Sequence, residues 1–113
     1  MIFVYGSLKR GLDLHHLLQG SRSAGPAVTC PHYRLFNLGD YPGIVEWPEG
    51  VEIEGELYEV TVATLATLDH AEGVDEGLYA RRSICLVNHA PESAQAWFWL
   101  GSISGRPDCG TSW

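Results

Sequence analysis

Val51-Glu52-Ile53-Glu54-Gly55-Glu56-Leu57-Tyr58-Glu59-Val60 alternates apolar and acidic residues through most of its length. A period of two sends successive side chains to opposite faces of a strand, so this segment has one dry face and one wet face. Glu52, Glu54, Glu56 and Glu59 mostly line the solvated side. Directly afterwards Thr61 is of a type that caps helices. Val62, Leu65, Ala66 and Leu68 fall mainly on one face of a helix over Val62 to Asp69. A half-buried strand feeding a short amphipathic helix points to an α+β chain.

The rest of the sequence extends that reading. Ile2 to Tyr5 is short, β-branched and aromatic, which suits a buried strand ended by Gly6 and Ser7. Asp13 caps a short helix over Leu14 to Gln19, and Gly20 stands where helices terminate. Ser21 to Pro31 is rich in small residues, Gly and Pro, and reads as a loop leading into an extended run. His32 to Phe36 is a strand, Tyr41-Pro42-Gly43 a turn before Ile44-Val45, and Trp47-Pro48-Glu49-Gly50 another turn. Tyr79 to Val87 and Ala94 to Leu100 supply two further strands. Most connections are too short for repeated parallel crossovers. The expected fold is therefore a small mixed, mostly antiparallel β-barrel flanked by short helices. One domain over residues 1–113 is expected, with 101–113 an irregular Gly/Ser/Pro-rich tail.

Composition narrows the partners. The 113 residues are 45% hydrophobic and 19% charged, the pattern of an ordinary globular protein. A net charge of −7 opposes nucleic acid or an anionic membrane as partner, because both require a basic footprint. No apolar run approaches the roughly 18 residues of a membrane span, and the N-terminus lacks the features of a signal peptide. Cys30, Cys85 and Cys109 are odd in number and lack CxxC spacing, so neither a zinc site nor a disulfide framework is expected. The expected location is the reducing cytoplasm, with Cys85 a small buried hydrophobe. His15 and His16, adjacent on a helix, point roughly 100° apart and suit one packed and one exposed ring rather than a chelate. Cys30-Pro31-His32 is a weak ligand pair, and no metal is expected.

Two segments carry candidate chemistry. In Leu68-Asp69-His70-Ala71-Glu72-Gly73, one carboxylate follows a helix end and precedes a glycine. Helix-end electrostatics and burial both disfavour its charge, which suits a general base near neutral pH. In Tyr5-Gly6-Ser7-Leu8, a strand breaks into a turn whose backbone N–H groups can hold a carboxylate or an oxyanion. No GxxxxGK[ST] pattern points to a nucleotide phosphate. Arg81 and Arg82 follow Tyr79 on opposite faces of a strand, one of them available to Glu72 or to an anionic substrate group and the other exposed.

Together these segments resemble the γ-glutamylcyclotransferase-like superfamily, which includes the γ-glutamylamine cyclotransferases and the AIG2-like small proteins. The first hallmark is present as Phe3-Val4-Tyr5-Gly6-Ser7-Leu8. The second is Leu68-Asp69-His70-Ala71-Glu72-Gly73, with Tyr79 and Arg82 after it. Tyr41-Pro42-Gly43 and Gly55-Glu56-Leu57-Tyr58-Glu59-Val60 fit in order and spacing between them. The resemblance covers about residues 1 to 100. It implies a small barrel of mixed strands with helices, and release of 5-oxoproline from a γ-glutamyl amine or amino acid by attack of the α-amine on the γ-carbonyl. By position it implies Glu72 as general acid/base. Tyr5, Gly6, Ser7, Leu8, Tyr79 and Arg82 would contact the substrate, and no cofactor is called for. The expected partner is thus a small γ-glutamyl molecule, and the expected state a monomer or weak homodimer. A non-catalytic small-molecule-binding module on the same fold is the alternative.

Overall fold

The computed structural model describes residues 1–6, 15–90 and 93–113. In chain order it contains β1 (Ile2–Val4), a 3-10 turn (His15–Leu18), β2 (Arg22–Val28), β3 (Tyr33–Asn37), β4 (Pro42–Glu46) and β5 (Glu54–Glu59). Then follow α1 (Val62–Ala71), a second 3-10 turn (Val74–Glu76), β6 (Tyr79–Ser83) and β7 (Gln95–Trp99). The strands make one curled, mostly antiparallel half-barrel in the order β2-β5-β1-β7-β4-β3, with β6 on β7. The α+β class and the mixed sheet agree with the sequence reading.

The pairing of β7 places the site. β6 covers one edge of β7 throughout, from Tyr79 opposite Trp99 to Ser83 opposite Gln95. The other edge is shared by two parallel neighbours, β1 at Gln95 and β4 at Phe98. Two strands sharing one edge must diverge, so the end of β1 and the start of β4 bound a cleft. Tyr5 spans it: its hydroxyl donates to Trp97 O and accepts from the Ile44 N–H at 3.2 Å. Backbone groups at the split thus keep partners although the ladder is interrupted.

Both faces of β1 and β7 are covered. Phe3, Tyr5, Ala96 and Phe98 pack with Leu35, Ile44, Ile53 and Leu57. Ile2, Val4 and Trp97 pack with Tyr58, Leu68 and Tyr79 on the side of α1. Double burial is why these two strands read as continuous apolar runs, whereas β5 alternates only as far as Leu57. After it Tyr58 is buried on the α1 side, so the expected single dry face holds for part of the strand. Thr61 caps α1 by accepting from the Thr64 N–H at 3.1 Å, as expected. The helix runs on to Ala71, and Leu68 is buried with Leu65 packed beside it, while Val62 is 86% exposed and Ala66 is exposed. The expected four-residue apolar face is therefore half right.

Other expectations are corrected. Arg22–Val28 is a strand rather than a loop, because β2 takes the edge beside β5 and accommodates a register shift between Ser23 and Gly25. An edge strand tolerates Pro26, which cannot donate to a ladder. Pro42 and Gly43 belong to β4, opposite Asn37 and Phe36, so the turn lies at 38–41. Three strands are shorter than expected: β5 starts at Glu54, β6 ends at Ser83 and β7 runs only from Gln95 to Trp99. Cys30 and Cys85 form a disulfide, against the expectation of free thiols and of a merely buried Cys85. The isolated bridge between Thr29 and Leu86 brings together two cysteines 55 positions apart, a proximity that spacing rules do not reveal. Asp13 and Leu14, the expected start of the first helix, lie outside the described residues; His15–Leu18 forms a 3-10 turn, with His15 half-buried and His16 exposed.

Residues 101–113 are irregular but held. Cys109 N–H donates to Leu35 O at 2.7 Å, Asn37 N–H to Pro107 O at 2.8 Å, and Glu54 N–H to Thr111 O at 2.7 Å. The segment covers the outer edge of β3 and ties it to the start of β5, protecting an edge that would otherwise be open to pairing. Among the described residues no helix is long and apolar enough to cross a membrane.

Candidate active site

Glu72 is the C-cap of α1, and its N–H bonds Leu68 O at 2.9 Å. Gly73 follows in the left-handed region at φ 71°, and its N–H reaches His70 O at 3.0 Å. That reversal favours glycine. An L side chain is disfavoured at this φ, and a Cβ would stand 2.8 Å from Leu78 Cδ1. Asp69, just before the helix end, accepts from Trp97 Nε1 at 2.8 Å and lies 3.3 Å from Arg81 Nε. These contacts fasten the last turn of α1 to β7 and β6, so the Glu72 side chain leaves from a fixed backbone.

It leaves into a cavity of about 360 Å³ in the cleft between β1 and β4. The wall includes Tyr5 and Gly6 from the end of β1, Tyr41 and Pro42 from the start of β4, and Tyr79 and Trp97 from β6 and β7. This volume lies within the roughly 300–1,000 Å³ of small-molecule sites. Gly6 is sterically required, since a Cβ there would stand 2.8 Å from Pro42 Cγ.

Burial pushes the Glu72 carboxyl from 4.5 up to about 7, since the half-buried cavity wall solvates its anion poorly. Burial also raises Tyr5 and Tyr79, and the neighbouring Glu72 charge raises both further. Both phenols stay neutral at physiological pH. Tyr79 donates its hydroxyl to Pro42 O at 2.6 Å, and Tyr5 is committed to Trp97 O and Ile44 N–H. The tyrosines thus shape the wall and hold it together, and Glu72 is left poised between its two protonation states near neutral pH.

Of the expected site residues, Glu72, Tyr5, Gly6 and Tyr79 line one cavity. Ser7 and Leu8 lie outside the described residues. Arg82 is exposed on β6 opposite Ala96 and does not line the cavity. Arg81 is the half-buried one of the pair, and it meets Asp69 rather than Glu72. Sequence reading passed over Asp40, Leu78 and Trp97 in the wall. Trp97 carries no local signal, being one of three aromatics in an apolar strand; only the sheet order brings it to the cleft.

The sequence matches the model of a family described as Gamma-glutamyl cyclotransferase, AIG2-like over residues 2–113. A candidate γ-glutamylcyclotransferase of Vibrio cholerae is 46% identical over 74 residues, which cover 66% of this chain and 63% of that protein's length. The γ-glutamylcyclotransferase family protein YtfP of Escherichia coli K12 is 40% identical over 83 residues, 74% of this chain and 70% of its own. The solution structure of E. coli YtfP superposes with a TM-score of 0.73 at 33% identity, covering 99% of this chain and 94% of YtfP. A uropathogenic E. coli-specific protein shares the fold at a TM-score of 0.86 and 24% identity, covering 99% and 90%.

Proposed function

Since this chain belongs to the Gamma-glutamyl cyclotransferase, AIG2-like family, we propose that it releases 5-oxoproline from a γ-glutamyl amine or γ-glutamyl amino acid, with Glu72 as the single general acid/base. The observation that carries this reading is the half-buried Glu72 carboxyl, raised to about 7 inside a cavity walled by Tyr5, Gly6 and Tyr79.

The chemistry requires protons to pass from the attacking nitrogen to the leaving one. The α-ammonium of a γ-glutamyl group is not nucleophilic until it gives up a proton, which the Glu72 carboxylate accepts. The freed amine attacks the γ-carbonyl of the same chain, forming the lactam C–N bond and a tetrahedral oxyanion. Collapse breaks the original amide bond, and the protonated Glu72 gives its proton to the leaving nitrogen. The ring nitrogen, which still carries two hydrogens after the attack, passes one to the regenerated carboxylate or to water to become the lactam N–H. A group titrating near 7 serves both steps because neither of its forms is scarce. Ring closure is intramolecular, so a wall that holds the glutamyl chain folded supplies much of the acceleration. Tyr5 and Gly6 line the cavity, and backbone N–H donors there would meet the oxyanion or the α-carboxylate. The net charge of −7 gives an anionic substrate no long-range attraction, so recognition falls to such local donors.

A panel of γ-glutamyl amines and amino acids, assayed for 5-oxoproline by mass spectrometry, tests the reading. Wild-type protein releases 5-oxoproline from at least one member, and Glu72→Gln releases none while unfolding as cooperatively as wild type. No release by wild type across the panel sinks the proposal. Ligand-induced stabilisation without turnover would instead mark a non-catalytic binding module. A cytoplasmic location is part of the same proposal, and alkylation of thiols in intact cells, which reports the state of Cys30 and Cys85, examines it.

A further inference from the structure

Cys30, His32 and Cys85 present ligand atoms that all lie within 4.8 Å of one another, none of the three residues is buried, and none lines the Glu72 cavity. We propose that they form a redox-gated metal site: closed as the Cys30–Cys85 disulfide, and opened by a dithiol reductant to bind a thiophilic divalent cation of the zinc type.

Backbone hydrogen bonds hold this cluster together beside the S–S bond. Cys30 N–H donates to Cys85 O at 2.9 Å, Val87 N–H donates to Val28 O at 2.9 Å, and Thr29 bridges Leu86 between them. The two Cα atoms stand 5.4 Å apart on that ladder, so the sulfurs stay neighbours after reduction. His32 is brought back by its N–H, which donates to Cys30 O at 2.8 Å, folding Cys30-Pro31-His32 into a tight turn. Its ring stands edge-on to Tyr33, with centroids 6.3 Å apart. Tyr33 in turn accepts the Cys85 N–H on its hydroxyl at 2.9 Å. One tyrosine thus touches both the histidine and the second cysteine.

Two thiolates and one imidazole are a donor set for a borderline-soft cation in tetrahedral geometry, with the fourth position left to water. His32 is exposed and Cys30 half-buried, which admits both a reductant and an ion. The steps balance. A thiolate of the dithiol attacks one protein sulfur, its second thiol resolves the mixed disulfide, and two electrons pass to the protein pair. The reductant becomes its own disulfide, and Cys30 and Cys85 become thiols. A divalent cation then displaces two protons from those thiols and takes a ring nitrogen of His32 as its third ligand.

Thiol titration under denaturing conditions and cobalt(II) binding test this. The purified oxidised protein shows one thiol, Cys109, and a phosphine raises the number to three. Desalted without oxygen, the reduced protein takes up one cobalt ion with sulfur-to-cobalt charge-transfer absorption, and the oxidised protein takes up none. Cys30→Ser and Cys85→Ser abolish that absorption, while Cys109→Ser leaves it intact. His32→Ala keeps it but weakens binding by more than the roughly 10–100-fold typical of losing an outer-shell partner. Circular dichroism of each variant checks that the ladder survives. Three thiols before reduction, no cobalt uptake afterwards, or unaltered affinity in His32→Ala would each overturn the proposal.

Discussion

Replacing Glu72 by Gln is expected to stabilise the folded protein, by an amount that depends on pH in a defined way. The carboxyl rises from 4.5 to about 7 because folding takes it out of water. A group whose folded pKa is raised contributes stability that is complete below its unfolded pKa and is lost as pH climbs through the folded one. Wild type therefore loses stability at this site between 4.5 and about 7. The amide in the Glu72→Gln variant stays neutral and is exempt from that loss. At about 1.4 kcal/mol per pKa unit, the full shift corresponds to about 3 kcal/mol. Glu72 is half-buried, so water screens part of it and about 2 kcal/mol is the working value. Urea unfolding of both proteins at about pH 4, 6 and 8 measures the difference by linear extrapolation. The expected advantage of Glu72→Gln is close to zero at the lowest pH, partial at the middle one and complete at the highest. A difference that is flat with pH, or that favours wild type as pH rises, would show that the carboxylate is not desolvated. The case for a base poised near neutrality would then lose its physical ground. A variant both more stable and inactive is what a strained functional group predicts.

Tyr5→Phe removes the hydroxyl that serves Trp97 O and Ile44 N–H at the split in the sheet. Leaving buried backbone groups unpaired costs about 1–3 kcal/mol each, so chemical denaturation should register a loss of about 2 kcal/mol or more. Gly73→Ala meets both the positive φ and Leu78, and should cost at least about 1–2 kcal/mol while impairing 5-oxoproline release through displacement of Glu72. Asp69→Asn weakens the tie to Arg81 and Trp97, so kcat should fall with the pH dependence of the Glu72 carboxyl preserved. Arg82→Ala alters an exposed side chain away from the cavity, so stability should stay within about 0.5 kcal/mol and kcat/KM close to wild type. A large loss of kcat/KM there would restore Arg82 to the site.

Local patterning was enough for much of the fold. The alternation before Thr61, the cap itself and the glycine after Glu72 each depend on neighbours within a few residues, and each appears in the structure as β5, the N-cap and the left-handed turn. Where the reading failed, a distant partner had the deciding say. Arg22–Val28 has only Val28 as a strong strand former but pairs because β5 offers it an edge, and Pro42 joins β4 because Asn37 faces it. Val62 resembles a core residue by its spacing, yet the sheet stops short of the first turn of α1.

The candidate site divides in the same way. Sequence alone determined that a carboxylate follows a helix end and that a strand breaks at Gly6, because caps, glycines and periodicity act over short stretches of chain. The structure carries the helix on to Ala71 and makes Glu72 its cap. Tertiary structure alone decided that these features share a cavity. The sharing of one β7 edge by β1 and β4 opens the cleft, and burial there lifts Glu72 towards neutrality. It also decided that Arg81 serves Asp69 and that Cys30, His32 and Cys85 meet. Pairing between strands far apart in the chain sets such contacts, and no local pattern records which strand will lie beside which.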